Sequence, residues 1–292
     1  MSTEQTRFWE DRWQSFIDAS PLHKRRNPDG GRIKRWNKMA AGFAERTSDK
    51  QTAGKRLKTI QWLKDLGALK PGARVLDIGA GPGNWALLLA RTAAHVTALE
   101  PSDAMVDILQ NRIEAEGISN ITIDRRTWQA VDLAKNQWEA AFDLVFASMT
   151  PGIDGPANLR KMMAACKGYC YLSAFSGSGW QQWYGDLWRA VFNESLEDRP
   201  NDIIHPFNLV YAMGHRPSLQ FNFWQRETDL TRDKAVEEFC TQVEPYTELT
   251  EEIKAKVAAF VDEHCQDGTV TLRRNGCQGM MVWHINEKIQ QP

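Results

Sequence analysis

The sequence predicts an α/β fold in which helices cover a mostly parallel sheet. From about residue 67 to residue 177, short apolar runs typical of buried strands alternate with segments of helical periodicity. The first apolar run, residues 75–78, leads into a glycine-rich turn and then an apolar helix, which is the connection that a parallel sheet needs. These two observations establish the expected fold class.

The chain begins with helical segments, residues 1–66, which we expect to form an N-terminal cap on the sheet. A basic cluster lies between these segments and surrounds a Pro-Asp-Gly-Gly sequence. It contains Lys24, Arg25, Arg26, Arg32, Lys34 and Arg35. Such a cluster fits a solvated loop over the site, a contact for an anionic substrate, or a nucleic-acid footprint. These three interpretations stay open.

Three alternate glycines, Gly79, Gly81 and Gly83, follow the first strand. Because they lack side chains, a ligand can approach the backbone, and the N–H groups of the next helix point toward it. The spacing G-x-G-x-G differs from the G-x-G-x-x-G of dinucleotide sites. Asp77 stands two residues before the turn, where a carboxylate suits a cationic ligand better than a pyrophosphate.

The second predicted strand, residues 95–99, is followed by Glu100, which lies 21 residues after Gly79. At this interval a βαβ unit places an acid against a ribose diol, and one carboxylate can accept from both hydroxyls. Ser102 follows at a position suited to capping the next helix. We therefore expect Glu100 to bind the ribose of a nucleoside.

Read together, the motif D-x-G-x-G-x-G and the later acid resemble the class I S-adenosylmethionine-dependent methyltransferases. The resemblance implies a Rossmann-like, mostly parallel seven-stranded sheet with an antiparallel last strand. It implies S-adenosyl-L-methionine as cofactor and S-adenosyl-L-homocysteine as product, within a core of residues 67–177. The cofactor-binding residues implied by the motif are Asp77, Gly79, Ala80, Gly81, Gly83, Asn84, Glu100 and Pro101.

Further cofactor candidates follow the third and fourth predicted strands. Where the family usually has an acid for the adenine amino group, this chain has Thr127, with Trp128 beside it. The Thr127 hydroxyl or the backbone around Trp128 could replace that acid, and Trp128 could equally be a core residue. After the fourth strand, Ser148 is a cofactor candidate and Met149 a substrate candidate, because ligands bind at this end of open α/β sheets. The loop reads Ser-Met-Thr-Pro and lacks the N/D-P-P-Y motif of base-methylating enzymes, which argues against a nucleic-acid base.

An aromatic segment after the fifth strand forms a predicted α-helical insertion, residues 178–215. Its aromatic residues recur at helical spacing, at the position where the family inserts substrate-binding elements. They are Trp180, Trp183, Tyr184, Trp188 and Phe192. We expect a substrate lid, with Trp180 and Trp183 against the acceptor, although the same residues could simply pack the insertion onto the sheet.

Two further sets of candidates concern the acceptor. Trp36 belongs to a W-x-x-x-A-x-x-aromatic pattern that resembles a helix folded over the cofactor in small-molecule methyltransferases, or alternatively a core-facing helical stripe. A general base is needed only if the attacking atom arrives protonated. Candidate bases in the insertion are Tyr184, His205, Tyr211 and His215, each of which could equally be structural.

The remaining residues, 216–292, are expected to complete the core sheet. Residues 218–224 alternate as a late strand, and residues 269–272 and 279–285 supply the last strand material. Residues 232–243 and 251–264 have helical periodicity between them.

The composition indicates a globular protein and gives no sign of binding to polyanions or membranes. With 42% hydrophobic and 25% charged residues and a net charge of −1, the 292-residue chain is typical of a globular protein without a general attraction to polyanions. The absence of a long apolar run or a secretory leader favours a cytoplasmic protein and no membrane partner. Accordingly, we expect the five cysteines to be reduced, and their spacing matches no metal site.

These features favour a methyltransferase that acts on a small molecule through a nitrogen, oxygen or sulfur nucleophile. An RNA or protein methyltransferase that uses the basic cluster is the alternative within the enzyme class, although nucleic acid is not the expected partner. A regulatory protein that binds the cofactor without turnover is the alternative outside it. The sequence does not predict the oligomeric state.

The first prediction separates the two nucleotide classes. A ligand that binds only the folded chain raises its melting temperature. We expect S-adenosylhomocysteine to raise the midpoint of thermal unfolding and NAD to leave it unchanged. Stabilisation by NAD alone would overturn the cofactor assignment.

Overall fold

A seven-stranded sheet forms the centre of the molecule, with strand order β3-β2-β1-β4-β5-β7-β6. The computed structural model describes residues 3–25, 31–48, 50–177, 182–196 and 201–287. In this part of the chain the strands are β1 Arg74–Ile78, β2 His95–Leu99, β3 Ile121–Asp124, β4 Phe142–Ser148, β5 Cys166–Ser176, β6 Ser218–Thr231 and β7 Thr269–His284.

Strands β1 to β5 pair in parallel, and β7 pairs antiparallel with both β5 and β6. The expected α/β class, with a mostly parallel sheet and an antiparallel last strand, is therefore confirmed. Because parallel strands carry their carboxyl ends to one edge, the turns after β1, β2 and β4 lie together at that edge.

The helices surround the sheet and extend beyond it. They are α1 Thr3–Ala19, α2 Pro21–Lys24, α3 Gly31–Arg46, α4 Lys50–Asp65, α5 Ala86–Ala90, α6 Asp103–Glu116, α7 Pro156–Ala165, α8 Gln182–Phe192, α9 Ile204–Ala212, α10 Arg232–Val243 and α11 Glu251–His264. A short 3₁₀ helix, Glu244–Tyr246, follows α10. The helix after the glycine turn, α5, is only five residues long.

Each face of the sheet has its own core. On one, the α1 face, side chains of α1, α7 and α9 such as Ile17, Leu159 and Leu209 pack on the strands. On the other, the α4 face, side chains of α4, α5 and α6 such as Leu63 and Leu109 do so. A sheet buried on both faces explains why its strands read as apolar runs.

The end of the chain is divided differently from the sequence-based boundaries at residues 178–215 and 216–292. Helices α8, α10 and α11 pack with Val270 and Leu272 of β7 into a third core, which we call the small lobe. Helix α9 packs instead on the α1 face. The predicted insertion is thus split between two parts of the molecule.

Strand β7 is continuous where the sequence suggested two separate runs, because glycines within it are packing positions. Its residues 269–282 pair with β6 along their length. A Cβ on Gly276 would lie 2.7 Å from the Trp224 ring, and one on Gly279 would lie 2.4 Å from Ile203. These glycines leave room for neighbouring side chains and do not end the strand.

Candidate active site

The three glycines after β1 have positive φ angles of +75° at Gly79, +56° at Gly81 and +86° at Gly83. A Cβ on Gly79 would lie 2.1 Å from Thr150 Oγ1, and one on Gly83 would lie 2.4 Å from Leu109. A Cβ on Gly81 would meet no protein atom within 4 Å. Packing therefore requires the outer two glycines, whereas the middle one faces open space that a ligand can use.

The turn is fixed against the neighbouring strand by its own amides. The N–H groups of Gly79 and Ala80 donate to the Leu99 carbonyl at 2.8 and 3.1 Å. These two N–H groups are therefore already paired. Gly81 differs from them, because its N–H donates to Glu100 and its α-carbon faces open space.

Glu100 is buried and joins the turn to the next helix. Its Oε2 accepts from the N–H of Gly81 at 2.8 Å, and its Oε1 accepts from the N–H of Ser102 at 2.9 Å. Burial raises the pKa of Glu100, and these two backbone bonds oppose the rise. Ser102 caps α6 as predicted, its hydroxyl accepting from the N–H of Met105 at 3.3 Å.

Asp77 is 1% exposed and lies in β1 just before the turn. Its Oδ2 is buried and has no hydrogen-bond partner among the described residues. Burial, and then the negative charge of Glu100, raise the pKa of Asp77 to about 8. A buried carboxylate with an unpartnered oxygen beside a second carboxylate is arranged to receive a cation or a donor group.

Helix α3 bridges the glycine turn and the start of α6. Asn37 Oδ1 accepts from Ser102 Oγ at 2.7 Å and from the Ala104 N–H at 3.2 Å. At the end of α3, Asn84 Nδ2 donates to Thr47 Oγ1 at 2.8 Å. Arg112 of α6 donates in turn to Asn84 Oδ1 and to the Pro82 carbonyl, each at 3.0 Å.

Asn37 and Thr47 hold the N-terminal cap over the glycine turn, and Arg112 ties the turn to α6, yet no sequence motif pointed to these three residues. Each joins segments that are distant along the chain, so no local spacing could reveal them. Trp36, by contrast, contacts its own helix: its ring meets Phe43 edge-on with centroids 5.5 Å apart. Ala40, on the same helix, is buried.

At the carboxyl ends of β4 and β5, polar side chains line the edge of the sheet. Ser148 Oγ and Ser173 Oγ are 3.0 Å apart, and Gln278 Nε2 of β7 donates to Ser173 Oγ at 2.9 Å. Met149 follows with a positive φ of +51° and an exposed side chain, its N–H donating to the Ser173 carbonyl at 2.9 Å.

The structure does not support an adenine pocket formed by the Trp128 ring. This side chain is 2% exposed in the core of the α1 face, and its Nε1 donates to the Asn158 carbonyl at 3.2 Å. Lys161 Nζ lies 4.7 Å from the centre of the ring. Thr127 accepts from the Ala130 N–H at 3.2 Å, which places its hydroxyl in a local turn.

The four candidate bases are dispersed. His205 stacks on Trp13 with centroids 6.3 Å apart, and His215 is buried with Nδ1 3.1 Å from the His284 carbonyl. Tyr211 is exposed beneath Arg216. Tyr184 is buried in the small lobe, where burial raises the pKa of its phenol. Their surroundings fit packing roles, and they do not gather into one site.

The aromatic residues predicted to form a substrate lid do not lie together over the site in the described part of the chain. Trp183 stacks on Phe239 of α10 with centroids 5.0 Å apart, so its ring helps to build the small lobe. Trp180 lies outside the described residues. In the described part of the insertion, the Trp183 ring therefore has a packing role, and its contact with Phe239 does not indicate a contact with an acceptor.

Three described members of the basic cluster contact other side chains of the protein. Arg25 pairs with Glu194 at 2.6 Å, Arg32 lies 3.7 Å from Asp154, and Arg35 donates to Gln242. Arg26 lies outside the described residues.

Metal-binding clusters and membrane-spanning helices were also sought among the described residues. No group of three or more His, Cys, Asp or Glu side chains in them could hold a metal ion. None of their helices is both long and apolar enough to cross a membrane.

Comparison with known proteins assigns the domain. Residues 75–169, which contain the glycine turn, Glu100 and the polar edge of β4, match a family model described as a methyltransferase domain. This segment of the chain therefore resembles a methyltransferase domain. The predicted resemblance to methyltransferases is thereby confirmed for residues 75–169.

Similar proteins do not specify what this chain acts on. An uncharacterized protein of Haemophilus influenzae is 27% identical over 234 residues, 78% of this chain and 80% of that protein. The 23S rRNA (uracil(1939)-C(5))-methyltransferase RlmD of Hahella chejuensis is 33% identical over 113 residues, 36% of this chain and 23% of that enzyme. The crystal structure of the YcgJ protein of Bacillus subtilis shares the fold, with a TM-score of 0.54 at 14% identity over 82% of this chain and all of that one.

The second prediction concerns Asp77. Because its pKa is raised to about 8 from an ordinary 3.8, the folded protein holds a proton that the unfolded chain has lost between these pH values. The free energy of unfolding should then fall as pH rises through this window, by about 1.4 kcal/mol per unit for one proton. Asp77→Asn removes this titration.

Urea unfolding of the ligand-free protein at several pH values between 6 and 8 measures the effect. The stability of Asp77→Asn relative to the unsubstituted protein should increase steadily with pH. A constant difference would show that Asp77 ionises normally in the folded protein.

Proposed function

We propose that this methyltransferase transfers a methyl group from S-adenosyl-L-methionine to a small-molecule acceptor bound at the carboxyl edge of β4 and β5. The observation that supports this most strongly is the closed construction of the site. Helix α3 spans the glycine turn, and two basic residues at the start of that helix, Arg32 and Arg35, contact Asp154 and Gln242. Such a site suits a compact acceptor better than a polymer.

The residues at the glycine turn fit the cofactor. Glu100 would bind the ribose hydroxyls, since each of its oxygens accepts one backbone N–H and keeps a further lone pair. Asp77 would face the positively charged part, which would favour its ionised form. Open space at Gly81 allows close approach of the ligand to the backbone. The shared edge position of Gly79, Ala80, Gly83, Asn84 and Pro101 supports their inclusion in this site.

When bound, the cofactor supplies an electrophilic methyl group and a neutral thioether leaving group. The protein needs to align the acceptor and to exclude water. Helix α3 shields the turn, while the Thr150 hydroxyl, which also accepts from the Gly152 N–H at 3.1 Å, packs the β4 loop against Gly79.

An rRNA acceptor is the second candidate, because the Hahella chejuensis relative is named as a 23S rRNA enzyme. Its match covers 36% of this chain. Nucleic-acid binding depends on cations that are free to meet phosphates. Arg25 and Arg32 instead meet Glu194 and Asp154, which counts against this candidate.

The third prediction tests the cofactor site through Glu100. Replacing Glu100 by Ala would leave two backbone N–H groups unpaired, so Glu100→Gln is the milder change. It removes the charge and one accepting oxygen. Because bonds to charged groups contribute about 1.5–3 kcal/mol, we expect S-adenosylhomocysteine affinity to fall by about 10- to 100-fold.

Isothermal titration calorimetry measures this affinity, and circular dichroism checks the fold. Glu116→Gln is the matched control, because Glu116 pairs with Arg91 on the surface of α6. Equal affinities for the two variants would remove Glu100 from the cofactor site.

The fourth prediction separates the two acceptor classes. The protein is incubated with methyl-labelled S-adenosylmethionine and either a low-molecular-mass metabolite fraction or total rRNA. We expect label in the small-molecule fraction and none in RNA. Label in RNA, together with rRNA binding that weakens steeply with salt, would favour the rRNA candidate.

A further inference from the structure

A row of neutral polar side chains crosses the sheet beside the proposed cofactor site. Ser148 of β4 lies opposite Ser173 of β5 in the parallel register, and Ser173 lies opposite Met280 of β7. Gln278 stands two residues before Met280, so its side chain lies on the same face. The three polar side chains are therefore neighbours on three adjacent strands, on the face that also carries Tyr171.

Hydrogen bonds join the three side chains of this row. Gln278 Nε2 can only donate, so Ser173 Oγ accepts from it at 2.9 Å. Ser173 Oγ and Ser148 Oγ are 3.0 Å apart, and either hydroxyl can donate in this bond. One serine proton stays outside that bond, and Gln278 Oε1 has no hydrogen-bond partner among the described residues, so the row offers both a donor and an acceptor. Ser148 and Gln278, at the two ends of the row, are both partly exposed.

Aromatic rings flank this row. Phe146 and Tyr171 stack with centroids 4.2 Å apart, and Trp85 lies 5.0 Å from Phe146 at the end of the glycine turn. Burial raises the pKa of Tyr171, an effect that the hydroxyls of Ser173 and Ser148 partly offset, so the phenol stays neutral. Neither the row nor these rings carry a formal charge.

We propose that Ser148, Ser173 and Gln278 form the acceptor-recognition site, and that they select a neutral, planar acceptor with a hydroxyl or carboxamide group. The carboxyl ends of β4 and β5 place this site beside the Gly79–Thr150 contact, where the β1 and β4 loops meet. The row carries no charge that could pair with a charged acceptor. A purely apolar acceptor would leave the hydrogen-bonding groups of the row unpaired. This inference rests on the proposed function and narrows its substrate class.

The experiment uses simple probes on the full chain saturated with S-adenosylhomocysteine. Phenol and benzamide carry neutral hydrogen-bonding groups, toluene has none, and benzoate and benzylamine are charged. Ligand-observed NMR ranks their binding. We expect phenol and benzamide to bind at least about tenfold more tightly than toluene, benzoate and benzylamine, the ratio that one or two neutral hydrogen bonds give.

Variants assign the selectivity to the row. Gln278→Leu and Ser173→Ala should each lower phenol and benzamide binding by about tenfold while leaving toluene binding and S-adenosylhomocysteine affinity unchanged. Gln61→Leu is the matched control, because Gln61 is exposed on α4, where it donates to Asp65 of the same helix. A merely structural role for Gln278 would weaken all probes alike.

The outcomes are distinguishable. If S-adenosylhomocysteine binds but the probes show no preference for neutral polar groups, or if the preference survives in both row variants, the acceptor-recognition site is overturned. If S-adenosylhomocysteine itself does not bind, the proposed function fails first. Preference for benzoate or benzylamine would contradict a neutral acceptor.

Discussion

The buried carboxylate of Glu100 is the interaction on which the rest of the site depends. Its two oxygens accept the N–H groups of Gly81 and Ser102, so one side chain fixes both the glycine turn and the start of α6. The same negative charge adds to the effect of burial on Asp77, whose Oδ2 is left without a partner among the described residues. Keeping two neighbouring buried carboxylates ionised costs free energy when no cation is near, and a bound cation lowers this cost.

The N-terminal cap is tied to this arrangement and in turn to the small lobe. Asn37 bonds to Ser102 at one end of the site, while Arg35 and Lys38 of the same helix reach Gln242 and Glu244. Helix α3 therefore connects the cofactor edge with the small lobe. With the turn covered in this way, we propose that an acceptor enters at the edge of β4 and β5.

The sequence predicted the features that depend on local spacing. The strand–turn–helix around Gly81, the acid at Glu100 and the cap at Ser102 each follow from residues close together in the chain, and the parallel pairing follows from βαβ alternation. The polar contacts between distant segments could not be predicted. Gln278 reaches Ser173 only because β7 inserts between β5 and β6, and Asn37 reaches Ser102 across 65 positions.

Aromatic residues were the least predictable part. Helical spacing placed Trp183 correctly on a helix, yet the spacing does not specify which core that helix joins. Trp183 stacks on Phe239 in the small lobe, and Trp128 lies in the core of the α1 face. Each ring packs against apolar neighbours that are distant in the sequence. A large aromatic side chain gives the same sequence signal in a core and in a binding site.

The most direct test of the account is the pKa of Asp77 measured by ¹³C NMR on the free protein and on the complex with S-adenosylmethionine. We expect a pKa of about 8 in the free protein, because the carboxyl is buried beside Glu100. We expect a clearly lower pKa in the complex, because the positive charge of the cofactor favours the carboxylate. An Asp77 pKa that does not change on saturation with S-adenosylmethionine would contradict this expectation.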